Sequence, residues 1–278
     1  MLRIGTSGFS FNDWIGTVYP PGIKQRDMLI YYEKDLGFNT LEINYTYYRL
    51  PQWKTSEAMA RKTSENFCFI VKSYKEMTHE IGGEERLEQV FSDFLKGIEP
   101  FSDTGKLGAV LMQFPPAFYP SAVNFDYMLS CKGRLGDIPV VIEFRNPKWA
   151  KEETFRFLEK NDLGFCCVDE PKIPGLMPFV VRVTSSTGYF RFHGRNKRWF
   201  KTSAAERYNY LYSDSELTEF VPQVKKAAES VPATYAFFNN CHAGSAAKNA
   251  IRMKELLGLK ESKEEKGGQL SLNGEVVP

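Results

Sequence analysis

Short apolar runs along this chain are each followed directly by a charged or amide side chain. The run ending at Val71 is followed by Lys72, and the run ending at Ile142 by Glu143. The polar side chains at or just beyond these exits are Glu42, Lys72, Gln113, Glu143, Arg145, Asp169, Arg191, His193, Asn239 and Asn240. Buried strands of a parallel sheet form continuous apolar runs, and α/β sheets and barrels build their sites at the carboxyl ends of such strands. The pattern therefore predicts an architecture and the place of the chemistry, but no particular reaction.

The number of apolar runs predicts a closed barrel. Strands are expected at Leu2–Thr6, Thr40–Ile43, Cys68–Lys72, Gly108–Met112, Val140–Glu143, Phe165–Val168, Thr187–Phe192 and Thr234–Phe238. Helical patterns lie between most of them, the clearest at Asp27–Leu36, Glu84–Ile98, Lys151–Lys160 and Ser245–Leu257. Alternating strands and helices imply parallel pairing, and eight strands close a barrel of about 250 residues. We therefore predict an α/β fold, a single-domain TIM (β/α)8 barrel.

The domain organisation follows from the same pattern. Residues 1–258 are expected to form the barrel, and residues 259–278 a polar C-terminal tail. Neither half of the chain contains the Gly-x-Gly-x-x-Gly fingerprint of a dinucleotide-binding sheet. Pro171, Pro174 and Pro178 argue against a full helix between strands six and seven, so that crossover is expected to be short or irregular.

Composition limits the classes of partner. The net charge is +2, which gives no global reason to expect nucleic acid or a membrane surface. No stretch approaches the roughly 20 apolar residues of a membrane helix, and no signal peptide is expected at the N-terminus. The five cysteines are scattered and show no paired metal spacing, which is typical of small buried residues in a reducing compartment. A cytoplasmic protein is therefore predicted.

Several motifs, in order along the chain, carry a family resemblance. They are Gly5-Thr6-Ser7-Gly8, Glu42-Ile43-Asn44 with Tyr47-Tyr48, Thr78-His79, Gln113-Phe114-Pro115-Pro116, Glu143-Phe144-Arg145, Asp169, Arg191-Phe192-His193-Gly194 and Phe238-Asn239-Asn240. In these segments, from about Arg3 to Ala250, the chain resembles the YecE-like family, a domain of unknown function. The resemblance implies a TIM-barrel fold, with a suggested kinship to endonuclease IV-like and xylose isomerase-like barrels. It implies no settled activity.

The acidic side chains at the strand ends predict one group of residues at the barrel mouth, and this group has two interpretations. Glu42, Glu143, Asp169 and His193 are expected to face one another across the barrel mouth, a set that suits a divalent cation such as Mg²⁺ or Mn²⁺. Alternatively, the carboxylates pair with strand-end cations in a network without metal, which we favour because the charges balance. Those cations are Lys72, Arg145 and Arg191. A three-zinc cluster is not expected, because the chain has only three histidines.

A second constellation is basic and follows strand seven. Between residues 182 and 207 the basic residues are Arg182, Arg191, Arg195, Lys197, Arg198, Lys201 and Arg207, against the single acid Glu206. Loops after strands seven and eight commonly hold phosphate in such barrels. The loop after strand eight, which contains Asn239 and Asn240, precedes a helix whose N-terminal amides suit an anion. This predicts an anionic ligand, while Trp199 among the arginines would also suit an unpaired nucleotide base.

Three functions therefore remain open. The leading hypothesis is an enzyme acting on a phosphorylated or anionic substrate, with phosphoester hydrolysis as the reaction by analogy of fold. Glu143 or Asp169 would be the base or a metal ligand, and His193 the acid or base. The substrate-binding residues would be Glu42, Lys72, Gln113, Arg145, Arg191, Arg195, Asn239 and Asn240. The alternatives are a non-catalytic nucleic-acid or nucleotide-binding protein, and a sugar-phosphate isomerase.

Overall fold

The computed structural model describes residues 1–259, except the side chains of residues 204 and 205, and contains eight strands that alternate with helices. The strands are β1 (Leu2–Thr6), β2 (Thr40–Ile43), β3 (Cys68–Lys72), β4 (Leu107–Gln113), β5 (Val140–Glu143), β6 (Leu163–Asp169), β7 (Thr187–Phe192) and β8 (Ala233–Phe238). The helices are α1 (Met28–Lys34), α2 (Trp53–Lys62), α3 (Glu84–Asp103), α4 (Ala122–Leu135), α5 (Glu152–Lys160), α6 (Ala204–Arg207), α7 (Asp214–Ser230) and α8 (Ser245–Leu257). The predicted (β/α)8 barrel is confirmed.

The strands form one parallel sheet that closes on itself between β1 and β2. Its order is β1-β8-β7-β6-β5-β4-β3-β2, so each strand pairs with its neighbour in sequence and β8 pairs with β1. β1 and β2 meet at a bridge between Ser7 and Glu42, and the Gly8 amide donates to the Glu42 carbonyl at 2.9 Å. This seam is narrow because Gly5 has no side chain: a Cβ there would lie 2.5 Å from the Thr40 carbonyl oxygen.

Strand alternation decides which exit side chains enter the barrel. Apolar side chains from the strands fill the interior, among them Ile70, Leu111, Val141, Val168, Tyr189 and Phe237. Side chains two residues further along a strand point the same way. The residues at those positions are Lys72, Gln113, Glu143, Glu170, Arg191 and Asn239. Polar side chains therefore line the mouth of the barrel, and apolar side chains fill the interior directly beneath them.

Two connections differ from regular βα units. Residues 170–186, all of which the structure describes, contain no helix between β6 and β7, as the prolines predict. Helix α3 continues past the predicted end at Ile98 and reaches Asp103 although Pro100 lies inside it. Both Pro100 and Phe101 are buried, so packing outweighs the hydrogen bond that the proline removes.

Two expectations from composition can be compared with the described residues. Cys68, Cys131, Cys166 and Cys167 are buried thiols without a disulfide. Within residues 1–259, no helix combines the length and the apolar character that crossing a bilayer would require. Of the predicted tail, residues 260–278 lie outside the described residues.

We expect Gly5→Ala to destabilise the barrel at its seam. The added Cβ would press on the β2 backbone, and overpacking of this kind costs about 1–3 kcal/mol. The matched control is Gly133→Ala in α4, where a Cβ meets no atom within 4 Å, and where alanine favours the helix by about 0.5–1 kcal/mol. Urea unfolding of both variants checks this. Equal midpoints would mean that the seam tolerates the methyl group.

Candidate functional site

Arg191 at the end of β7 is a buried cation that joins two carboxylates across the barrel. Its Nε and Nη2 donate to the Glu42 carboxylate at 3.0 and 2.6 Å, and its Nη1 donates to Glu143 Oε2 at 2.5 Å. Tyr189 Oη also donates to Glu42 Oε2, at 2.6 Å. Only 2% of the Arg191 side chain is exposed, and neither carboxylate is exposed at all. The contacts therefore compensate all three charges within the protein.

The charge chain continues outward through Arg145. Arg145 Nη2 lies 2.6 Å from Glu143 Oε1, and Nη1 donates to Glu170 Oε2 at 2.9 Å. Burial alone raises the pKa of Glu143, but the two guanidinium groups outweigh it and hold that pKa well below its usual value. We call Glu42, Arg191, Glu143, Arg145 and Glu170 the ion network. It holds three carboxylates and two guanidinium groups.

His193 is buried against this network and is neutral. Its Nδ1 lies 2.9 Å from Asn239 Nδ2, and its Nε2 lies 3.3 Å from Glu143 Oε1 and 3.1 Å from Arg145 Nη2. Burial, reinforced by Arg145, lowers the pKa of His193 to about 3. Both ring nitrogens have protein neighbours, so the imidazole is placed to hold Glu143 and Arg145 in position. Which nitrogen carries the proton depends on the orientation of the Asn239 amide.

Lys72 forms a separate cluster at the end of β3. Lys72 Nζ donates to Gln113 Oε1 at 2.9 Å and lies 4.6 Å from the centre of the Tyr47 ring. Gln113 Nε2 lies 3.4 Å from His79 Nε2. We call Lys72, Gln113, His79 and Tyr47 the lysine cluster. It contains no carboxylate, and within the described part of the chain Lys72 has no ion pair.

The two basic groups of the lysine cluster, Lys72 and His79, have lowered pKa values. Burial and the Arg191 charge, with a further contribution from Arg145, lower the pKa of Lys72 to about 7, although Glu143 and Glu42 oppose the shift. Burial followed by the charges of Lys72 and Arg145 lowers the pKa of His79 to about 4. Both basic groups are therefore easier to deprotonate than in water, as burial beside other cations produces.

Asp169 belongs to a different network on the outer side of the strands. Its carboxylate accepts from Arg195 Nη2 at 2.9 Å and from Tyr212 Oη at 2.6 Å. Nearby, Asn240 Nδ2 donates to Asn249 Oδ1 at 2.8 Å, and Asn249 holds the Tyr212 backbone. The structure therefore does not bring Asp169, Arg195 or Asn240 into the mouth with Glu42, Glu143 and His193. Asp169 alternates with the inward-facing Val168 and Glu170 and so points outward, whereas Arg195 and Asn240 lie beyond the ends of β7 and β8 and are held there by the contacts above, with Asn239 facing inward.

The predicted basic segment is only partly available to a ligand. Arg182 pairs with Glu152, and Arg207 lies over the Trp199 ring, which is buried. Arg191 pairs with Glu42 and Glu143, and Arg195 pairs with Asp169. The remaining three, Lys197, Arg198 and Lys201, are exposed. Their side chains make no ion pair with the described residues.

The carboxylates at the mouth are directed at guanidinium groups. Within residues 1–259, no group of three or more His, Cys, Asp or Glu side chains is arranged to hold a metal ion. The carboxylates of Glu42 and Glu143 are directed at Arg191 and Arg145. Each of these two carboxylates therefore has a guanidinium group as its neighbour, as in an ion-pair network.

Comparison with known proteins identifies the family. A family model described as "Protein of unknown function DUF72" matches residues 3–270. The chain belongs to the DUF72 family. This confirms the resemblance to the YecE-like family, which is the same family under another name. It does not supply a substrate or an activity.

Three relatives show how far the DUF72 match extends. The UPF0759 protein YunF of Bacillus subtilis (strain 168) is 33% identical over 277 residues, covering 94% of this chain and 96% of YunF. A crystal structure of a DUF72 family protein from Thermotoga maritima MSB8 is 41% identical, with a TM-score of 0.86, and the match covers 93% of this chain and 99% of that one. A DUF72 family protein from Enterococcus faecalis V583 is 29% identical, with a TM-score of 0.82 and coverages of 94% and 96%.

Sequence reasoning missed Glu170 and Tyr189 in this DUF72 barrel. Glu170 follows Asp169 directly, and counting in steps of two from the interior residue Val168 would have selected it. Tyr189 lies inside an apolar run, and only its hydroxyl reaches Glu42. No local signal distinguishes such a tyrosine from an ordinary core residue.

We expect Arg191→Met to lower the free energy of unfolding by about 3–5 kcal/mol, because it leaves two buried carboxylates uncompensated. The control is Arg182→Met, which removes the exposed pair with Glu152 and should cost at most about 1 kcal/mol. Adding Glu42→Gln and Glu143→Gln to Arg191→Met should restore part of the loss. Denaturant titration measures all three. Similar small losses in both single variants would contradict the role of Arg191.

Proposed function

We propose that this DUF72 protein is an enzyme that binds an anionic substrate at the barrel mouth and moves a proton with Lys72. The proposal rests on a difference between Arg191 and Lys72 in the groups that contact each cation. Arg191 is fully occupied by Glu42 and Glu143, whereas Lys72 faces the mouth with an amide and an aromatic ring as its neighbours. An unpaired, half-buried ammonium group attracts an anion far more readily than an arginine already compensated on both sides.

Arg145 is the second group suited to the anion. Its side chain is 13% exposed, against 2% for Arg191, so it borders both the ion network and the open mouth. After burial, the charges of Lys72 and Arg145 each lower the pKa of His79, so both cations lie near the same side chain, although Glu80 and Glu143 oppose the shift. Of the cations predicted to bind the substrate, Lys72 and Arg145 hold the anion in this proposal, and Arg191 and Arg195 do not.

Lys72 also suits proton transfer. A general base works best when its pKa lies near the working pH, and the pKa of Lys72 is about 7. An anion bound beside Lys72 raises that pKa, so each neutral amine is a stronger base but a smaller fraction of the amine is neutral at pH 7. This chemistry removes a proton from carbon beside a carbonyl, as in isomerisation. We therefore favour an isomerase-type reaction over phosphoester hydrolysis.

Glu143 and His193 have supporting roles in this scheme. Glu143 stays ionised and holds Arg145 toward the mouth, and His193 is a neutral neighbour of both. They are positioning residues rather than the base and acid that the sequence predicts. Asp169 lies outside this arrangement.

The anion site can be tested with sulfate, which does not titrate near neutral pH. Calorimetry should detect sulfate binding that weakens at least tenfold in Lys72→Met and is unchanged in Lys248→Met, an exposed lysine on α8. Binding at pH 7–8 should take up protons, because the anion raises the Lys72 pKa from about 7; buffers of different ionisation enthalpy measure this uptake. The proposal fails if sulfate does not bind, or binds Lys72→Met equally well.

A second candidate is supported by the exposed cations after β7. Lys197, Arg198 and Lys201 are free of ion pairs with described residues and suit a phosphate backbone. If the protein binds nucleic acid, replacing all three by Ala should weaken its binding to a single-stranded oligonucleotide. The slope of the logarithm of the binding constant against the logarithm of the salt concentration should also become shallower, by the amount expected for the loss of about two to three phosphate contacts. Fluorescence anisotropy at several salt concentrations checks this. An unchanged salt slope would reject this candidate.

A further inference from the structure

A cavity of about 510 Å³ lies at the carboxyl ends of β1, β2 and β8, the face at which barrels of this class build their sites. Its volume is within the range of small-molecule sites. The walls come from the ends of these strands and the loops that follow them, and they include no member of the lysine cluster. Five aromatic side chains border the space, and we therefore call it the ring cavity: Phe9, Phe11, Tyr45, Tyr48 and Tyr208.

The aromatic walls of the ring cavity suit an apolar or cationic ligand. Aromatic rings pack against apolar groups, and their faces also attract ammonium groups. Packing against other rings holds the walls in place, since the centre of the Phe11 ring lies 5.0 Å from that of Trp14. One of the five rings already has a cation over it, because the Arg49 guanidinium lies 5.1 Å from the centre of the Tyr45 ring. The other four rings are the ones that we assign to a ligand.

The charged side chains that line the ring cavity favour a cation over an anion. The lining includes Asp13, Glu42 and the imidazole of His242, and none of its described residues is a lysine or an arginine. Burial, followed by the charge of Glu42, raises the pKa of Cys241, and Asp13 adds to the rise although Arg191 opposes it. Both carboxylates therefore act on a side chain of the lining. Glu42 is already paired with Arg191 and is not exposed, so Asp13 is the acid that a ligand can reach.

Asp13 is held in position and is only partly occupied by the protein. Its Oδ2 accepts from the Ala243 amide at 2.7 Å, and the adjacent Trp14 Nε1 donates to the Cys241 carbonyl at 2.7 Å. These hydrogen bonds join the loop after β1 to the loop after β8. Within residues 1–259, Asp13 has no ion pair and its Oδ1 accepts no hydrogen bond. A carboxylate oxygen of fixed position is therefore available to an N–H donor.

We propose that the ring cavity binds an organic cation, namely a protonated amine whose ammonium group pairs with Asp13 and whose aromatic body packs against the rings. An ion pair to an exposed carboxylate adds little affinity. Burial of the aromatic body therefore supplies most of the affinity, and Asp13 supplies the preference for positive charge. This ligand is distinct from the anion proposed to bind at Lys72, and the inference does not depend on that function.

Three probes with the same indole ring and the same ethylene tether separate charge from shape. At neutral pH tryptamine ends in an ammonium group, tryptophol in a hydroxyl group and indole-3-propionate in a carboxylate. We expect tryptamine to bind about fivefold more tightly than tryptophol, and indole-3-propionate to bind most weakly. Ethylamine, which has the charge without the ring, should bind at least about tenfold more weakly than tryptamine. Ligand-observed NMR titrations measure these affinities. The proposal is overturned if tryptamine shows no saturable binding, or if indole-3-propionate binds as tightly as tryptamine.

Variants of Asp13 and Tyr48 test the two parts of the ring cavity. Asp13→Asn removes the charge but keeps an oxygen for the Ala243 amide, so it should weaken tryptamine about threefold and leave tryptophol unchanged. Its control is Asp126→Asn, an exposed acid on α4 outside the lining. Tyr48 is 75% exposed, so Tyr48→Ala should fold normally and weaken tryptamine and tryptophol alike, by about threefold. The matched control is Tyr119→Ala, at 57% exposed and outside the lining.

The outcomes for these variants decide between the ring cavity and another site. Unchanged tryptamine affinity in Asp13→Asn contradicts the ion pair, and unchanged affinity in Tyr48→Ala contradicts the aromatic wall. Lys72→Met should bind tryptamine as the native protein does, and Asp13→Asn should bind sulfate as the native protein does. Weaker tryptamine binding in Lys72→Met would place the amine at the lysine cluster and overturn the inference. Failure of sulfate binding alone would reject the proposed function and leave the ring cavity standing.

Discussion

The guanidinium group of Arg191 between Glu42 and Glu143 is the interaction on which the rest of the mouth depends. It connects β7 to β2 and to β5 through the barrel interior, and Glu42 is also the residue that bridges β1 at the seam. An arginine does not lose its proton in a protein, so the two carboxylates remain compensated wherever the network stays folded. Together with burial, which is the larger cause, the same fixed charge lowers the pKa of Lys72. The arginine that stabilises the ion network therefore also influences the pKa of the neighbouring lysine.

The fold could be predicted from the sequence because each apolar run contains its own signal. Eight runs and the three prolines before β7 are enough to specify a parallel barrel with one irregular crossover. The choice of inward-facing side chains was less well predicted, although the information is local. At the end of β6 the sequence offers both Asp169 and Glu170, and only the alternation from Val168 selects Glu170. Asn239 and Asn240 present the same choice after β8, with the first residue facing inward.

The pairing of charges could not be predicted, since it depends on distances across the barrel. Lys72, Arg145 and Arg191 are equivalent in a count of strand-end cations, and that count suggested one balanced network. In the structure the two arginines take the carboxylates and the lysine does not. An arginine can contact two carboxylates with its forked donors, whereas an ammonium group is a single point charge. Geometry therefore separates one lysine from a set that appears uniform in the sequence.

This separation explains why a balanced mouth can still be a reactive one. If every cation had been matched to its own carboxylate, each pKa would lie in the direction that strengthens its pair, and no group would titrate near neutral pH. Arg191 instead compensates two acids, and Arg145 is shared between Glu143 and Glu170, so Lys72 is left with an amide and an aromatic ring, and no carboxylate, in contact with its amine. A cation without a carboxylate in contact, beside a network in which every carboxylate contacts a guanidinium group, is a position that an anion could fill.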